Sequence, residues 1–252
     1  MTPKVSLLLP IGQLTKSRTP AELAAWVFER CEAIAAVEDA REPALMHQRP
    51  FKEFYEEIYP LSLFVTHLYG ARDDVLVTPN LDNRPFDAVI HDHSASPPSE
   101  LMIEITSARD PQEHLRMEYF VKHRHVMLWS PLAASGTKHN RRIHIEPFAV
   151  DHSELVARHC AWIKAAAEGK AGKADHYGHS HVLVIAFDDW FEPSDEDTAR
   201  LRTFVTEHIL TLPLSFSALY LVGMSDKTYL PFHLIGPAMR WVRRAPLDDS
   251  LP

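Results

Sequence analysis

Two early stretches carry apolar residues at helical spacing. Behind an irregular lead-in over residues 1–18, Leu23, Val27, Ile34 and Val37 repeat with a period near that of an α-helix. Thr19-Pro20-Ala21-Glu22 precedes them. Thr19 can cap, Pro20 suits a first turn, and Glu22 completes a capping box, so a helix is expected to start there. The charged run from Glu38 to Glu42, ending in Pro43, closes it. A second helix is expected over about 50–68. Phe51, Phe54, Ile58, Leu61, Phe64 and Leu68 form its apolar stripe, and Gly70 is its stop. Pro60 falls inside, where its ring would press on the carbonyl four residues back, so a kink or break is expected. Glu57, three residues after Phe54 and four before Leu61, lies on the edge of the buried stripe.

The period then shortens to two. Residues 75–78, 86–91 and 101–106 read as strands, rich in β-branched and aromatic side chains. Turn-like residues 79–83 and a polar loop after His91 separate them. Alternation puts Asp87, Val89 and His91 on one face, and Met102, Glu104 and Thr106 on one face of their own strand. Asp110-Pro111-Gln112-Glu113 opens a helix to about His123, and residues 126–129 read as a fourth strand. Further along, a strand is expected over 142–146, a helix over 151–168, a linker over 169–175 and a buried strand over 181–187. Ser194 and the acids after it open another helix, which carries Leu201, Phe204, Val205, His208 and Leu212. A last core strand is expected over 216–222. This order fits an α/β fold with a mixed central β-sheet flanked by helices. One domain over 1–252 is expected, with a core over about 19–130 and a C-terminal α/β extension over about 131–252.

Composition narrows the setting. The 252 residues are 46% hydrophobic and 24% charged, ordinary for a chain with a sizeable core. The net charge of −8 disfavours a general polyanion binder and leaves DNA or RNA to a local basic patch. Two cysteines, Cys31 and Cys160, make a disulfide framework implausible and point to a reducing, cytoplasmic setting. No apolar run is long enough to span a membrane. A homodimer is a further expectation.

The candidate chemistry lies in Arg84 to Thr106. Asp87 and Glu104 each stand where a strand would carry an apolar residue. An unpaired carboxylate in an apolar strand is costly, so Glu104, between Ile103 and Ile105, reads as a site residue. Capping of backbone amides is the rival reading for Asp87, and a solvated face for Glu57. Hard cations such as Mg²⁺ often take only one or two protein carboxylates. Asp87 and Glu104 are therefore candidate ligands.

Arg84-Pro85-Phe86-Asp87-Ala88-Val89-Ile90 followed by Glu104-Ile105-Thr106 resembles the PD-(D/E)xK, or restriction-endonuclease-like, nucleases. The likeness covers roughly 51–130 as a pattern of elements. It implies a metal-dependent phosphodiester hydrolase using Mg²⁺ or Mn²⁺ and acting on DNA or RNA. It makes Asp87 and Glu104 catalytic metal ligands, with Glu57 as an additional metal-shell carboxylate. Thr106 stands where that pattern has lysine. Some members carry the lysine on the following helix, where Lys122 is the candidate, on a face with Leu115 and Tyr119. Others have lost the site and serve as binding or assembly modules, the alternative reading. The pairs Arg141-Arg142 and Arg243-Arg244 could touch phosphates. His176, His179 and His181 form a weaker metal candidate, and His91 could join the Asp87 shell.

Overall fold

The computed structural model describes residues 5, 7–82, 84–137, 140–171, 177, 180–190 and 194–234. Helix α1 (Ile11–Leu14) leads into α2 (Pro20–Ala35). Helix α2 starts on the expected capping box: Glu22 N donates to Thr19 Oγ1 at 3.3 Å and Thr19 N to Glu22 Oε2 at 3.0 Å. The charged run does not merely close α2. Val37 turns the chain, and Glu38–Leu45 forms a separate helix, α3, with Pro43 inside it.

Helix α4 runs from Phe51 to Tyr69, and its middle is wound more widely than an α-helix. Phe51–Glu53 and Tyr59–Tyr69 are α-helical, while Phe54–Ile58 is a π-turn in which Tyr59 N bonds Phe54 O. Pro60 follows directly, and the wider turn accommodates a ring that an unbroken α-helix would resist. The stripe is buried as expected, with Phe51, Phe54, Ile58 and Phe64 fully enclosed. Each such side chain contributes about 1.5–3 kcal/mol of burial. Gly70, at φ +60, ends the helix with its N–H on Thr66 O.

Strands β1 (Val75–Pro79), β2 (Ala88–Asp92) and β3 (Ser99–Ala108) form an antiparallel meander. Helix α5 (Glu113–His123) follows, then a separate hairpin of β4 (Leu132–Ser135) and β5 (Arg142–Ile145). Helix α6 (His152–Ala171) carries the chain back to the main sheet at β6 (His181–Phe187). Strand β6 lies parallel to β3, and after α7 (Asp195–Phe204) so does β7 (Ala218–Gly223) to β6. Strand β8 (Tyr229–His233) closes the edge antiparallel. The order is β1-β2-β3-β6-β7-β8, so residues expected as an extension complete the same sheet. The protein is thus an α/β fold: a six-stranded mixed sheet flanked by seven helices among the described residues. Alternation along β6 divides the core. Val182 and Val184 face α2 and α4; Leu183, Ile185 and Phe187 face α6 and α7.

Residues 126–129 form no strand. Arg116 donates to Met127 O and Ser130 O, and Arg158 to Trp129 O, so side chains take carbonyls that a neighbouring strand would have used. The turn leaves Trp129 at φ +69, a left-handed conformation that costs a bulky residue about 1–2 kcal/mol. The expected linker is partly helical, since Gly169 to Ala171 finish α6; residues 172–175 lie outside the described residues. Helix α7 starts on a Ser194–Asp197 capping box and runs into a π-turn, Val205–Ile209. No described helix is long and apolar enough to cross a membrane.

Candidate functional site

The site forms where the pairing of β2 with β3 begins. Their register starts at Ala88↔Ile103, whereas β3 runs on to Ala108 and pairs there only with β6. Asp87 stands one residue before that first pair. Its N–H donates to Ile103 O at 2.7 Å, and its Oδ2 accepts from Ile105 N at 2.6 Å. The side chain thus satisfies the first β3 amide left without a β2 partner. Behind it, Asn80 N bonds Asp87 O and Asn80 Nδ2 bonds Phe86 O, which fix the turn delivering the carboxylate.

Glu104 lies on the β3 face that meets α6, and it is 7% exposed. Lys170, in the last turn of α6, places its Nζ against Glu104 Oε1. Tyr177 makes a side-chain hydrogen bond with the same carboxylate. Burial, then the Glu104 charge, then this bond push the Tyr177 phenol up.

The acids crowd one another. Burial first and Glu104 second push the Asp87 carboxyl up to about 6, partly offset by the Ile105 bond and the Lys170 charge. Glu57, in the π-turn of α4, is pushed up to about 7 by burial and then by Asp87. Asp87 is the middle carboxylate, coupled to Glu104 and to Glu57. Glu57 and Asp87 also share the wall of a polar cavity of about 180 Å³ with Arg49 and Lys52.

Asp87 therefore lies within electrostatic reach of Glu104 on one side and of Glu57 on the other. Lys122 is exposed in the last turn of α5, and the ammonium that reaches Glu104 is that of Lys170 instead. Thr106 is half-buried in β3, opposite Ile185. His91 sits 3.3 Å from Glu100. Arg141 donates to Glu118 at 2.8 Å. Arg243, Arg244, His176 and His179 lie outside the described residues. Lys170 and Tyr177 are absent from the sequence-based candidates. Lys170 falls in a glycine-bearing stretch that reads as linker, and nothing local marks it as a partner for a residue 66 positions away.

Among the described residues, no three His, Cys, Asp or Glu side chains converge as a ready metal cage. The donor set still suits a hard cation. Asp87 and Glu104 offer carboxylate oxygens, and Mg²⁺ commonly binds through one or two carboxylates with water completing the shell. Raised Asp87 and Glu57 carboxyls mark a place where added positive charge would be favourable. Comparison with protein-family models, with curated proteins and with solved structures finds no match.

Proposed function

We propose that the protein is a metal-dependent phosphodiesterase of the restriction-endonuclease-like class, acting on DNA or RNA. The observation that carries this reading is the convergence of Asp87 with Glu104 at the β2–β3 junction, with the Lys170 ammonium on Glu104. The order of elements supports it: a helix bearing Glu57, a three-stranded meander bearing both acids, then a helical crossover to a parallel strand. Asp87 and Glu104 would hold Mg²⁺ or Mn²⁺, with Glu57 as an outer carboxylate. The bound ion would lower the pKa of a water and offset negative charge gathering on phosphorus. Lys170 takes the part that Thr106 cannot play, adding a fixed positive charge in contact with Glu104 and within electrostatic reach of Asp87.

Asp87→Ala and Glu104→Ala are each expected to lower Mg²⁺- or Mn²⁺-dependent cleavage of DNA or RNA by roughly 10²–10³-fold or more, with the fold retained by circular dichroism. Lys170→Ala is expected to lose on the order of 10²-fold, whereas Lys122→Ala stays near wild type. Undiminished cleavage by both carboxylate variants sinks the assignment.

A second reading has its own support: Glu104 is already engaged by Lys170 and Tyr177, as in a scaffold that has given up catalysis. Calorimetric titration with Mn²⁺ separates the two. Millimolar or tighter binding that Asp87→Ala abolishes favours the enzyme, and no binding favours the scaffold.

A further inference from the structure

A second cavity, of about 240 Å³, opens at the carboxyl ends of the parallel strands, beside Ala108, Phe187 and Met224. Open α/β sheets commonly take ligands at that edge. Ala108 lies four residues beyond Glu104 on β3, about 13 Å along a strand. This cavity is therefore separate from the carboxylate site, and a ligand held there owes nothing to the phosphodiesterase reading.

Its walls are aromatic and held in place. Trp129 keeps its left-handed backbone while Arg116 and Arg158 bond the carbonyls of its turn. Such strain in a bulky residue persists only where the surroundings fix it. The Trp129 and Trp162 rings lie 24° from parallel, with centroids 6.4 Å apart. Buried His159 sets an edge against each. Trp190, 69% exposed, stands on the rim.

The polar groups are unevenly committed. Arg116 is bound to Asp110 at 2.9 Å, and Arg109 to Glu56 at 2.9 Å. Both cations of the wall thus already serve protein acids. Glu113 lies 3.8 Å from Arg109, at the limit of an ion pair, and Asp188 accepts from Trp190 N at 3.0 Å. Burial raises both carboxyls above their ordinary values. The cavity therefore offers π-faces and hydrogen-bond acceptors, and little that would hold an anion.

We propose that this cavity binds a single nucleobase, or a heterocycle of the same chemistry, stacked on the tryptophans and donating N–H bonds to Glu113 and Asp188. The volume is below the ~300–1,000 Å³ usual for drug-sized ligands, which suits one ring system. Aromatic stacking of unpaired bases, with side chains reading the base edge, is a common mode of recognition. A carboxylate selects donors. Guanine presents two adjacent N–H groups, adenine and cytosine an exocyclic amine, and uracil a single N–H between two carbonyls.

The test is tryptophan-fluorescence titration of the full chain with free nucleosides in the presence of a metal chelator. Saturable quenching is expected, with guanosine tightest and uridine weaker by roughly tenfold or more. Glu113→Gln should erase most of that preference. Trp190→Ala, at an exposed position that leaves the fold intact, should weaken all nucleosides alike by roughly 5–100-fold. Three results would overturn the proposal: no saturable quenching by any nucleoside at millimolar concentration, saturation by choline alone, or an unchanged order of bases in both Glu113→Gln and Asp188→Asn. Because no metal or cleavage is involved, failure of the phosphodiesterase reading leaves this outcome untouched.

Discussion

Strand β2 ends on one aspartate, Asp92, and is preceded directly by another, Asp87, and the fold treats the two in opposite ways. Asp92 accepts from Arg72 Nη1 and Nη2 at 3.1 and 2.6 Å, and from Ser94 N and Oγ at 3.0 and 2.7 Å. Burial would push its carboxyl up, but the bonds to Arg72 and Ser94 bring it below the ordinary value. Asp87 accepts from Ile105 N and faces Glu104, and its carboxyl rises to about 6. One arginine serves Asp74 and Asp92 at the first end. At the second, Lys170 is the cation on Glu104, while Asp87 and Glu57 are both left raised.

The contrast separates two uses of a carboxylate. Asp92 ties a turn to a strand, and the fold gains from its charge. The charged forms of Asp87 and Glu57 are instead opposed by burial and by neighbouring carboxylates, so the fold gains nothing from ionising them. Such groups mark functional-site candidates, because stability alone would not keep them. Glu104 lies between the two cases: it is buried, but its charge is matched by Lys170.

The largest effect should come from breaking that match. Lys170→Met leaves the Glu104 carboxylate buried without its ammonium, which is expected to lower stability by about 3–5 kcal/mol. Adding Glu104→Gln to Lys170→Met should recover most of the loss, since both charges are then gone. Urea denaturation of the two variants measures this. A Lys170→Met protein within ~0.5 kcal/mol of wild type would move Glu104 to the uncompensated side with Asp87 and Glu57.

The acids are legible in sequence, and their cation is not. Asp87 and Glu104 interrupt apolar strands, and an antiparallel meander brings consecutive strands together with few alternatives. The capping box at Thr19, the stop at Gly70 and the bounds of β6 are legible for the same local reason: each depends on residues a few positions apart. Lys170 depends on the path of the whole crossover from β3 to β6. Trp129 misleads for a related reason, since Val126-Met127-Leu128-Trp129 looks like a strand until Arg116 and Arg158 take its carbonyls. Strand β8 falls outside the elements expected from sequence, and Pro231 within it is tolerated because β8 is an edge.

A smaller effect is expected at the satisfied end of β2. Asp92→Ala removes four acceptor contacts and leaves Arg72 with Asp74 and Ser94 Oγ. With Arg72 about one-third exposed, the expected loss is about 1–2 kcal/mol at pH 7. The Asp92 carboxyl is lowered on folding, so its contribution is present above the unfolded value near ~4 and disappears as pH falls through the folded one. Denaturation curves of wild type and Asp92→Ala should therefore converge in acid. Equal stability of the two at pH 7 would remove the distinction between Asp92 and Asp87.

The smallest effect has the opposite sign and bears most directly on Asp87 and Glu57. Both are acids raised on folding, to about 6 and about 7. Between the unfolded values near ~4 and these folded values, the native state holds more protons than the unfolded one. Their share of stability is therefore greatest below pH ~4 and is lost as pH rises through about 6 and about 7. Glu57→Gln removes one of the two charges and relieves Asp87 as well. It is expected to raise stability at pH 8 by on the order of 1 kcal/mol, to leave it unchanged near pH 4, and so to flatten the decline between them. Asp87→Asn should act in the same direction but by less, because the amide is a weaker acceptor for Ile105 N. Chemical denaturation at pH 4, 6 and 8 reads both variants. If Glu57→Gln were instead less stable than wild type at pH 8, Glu57 would be a structural acid like Asp92, and the carboxylate cluster would lose its claim to be a site.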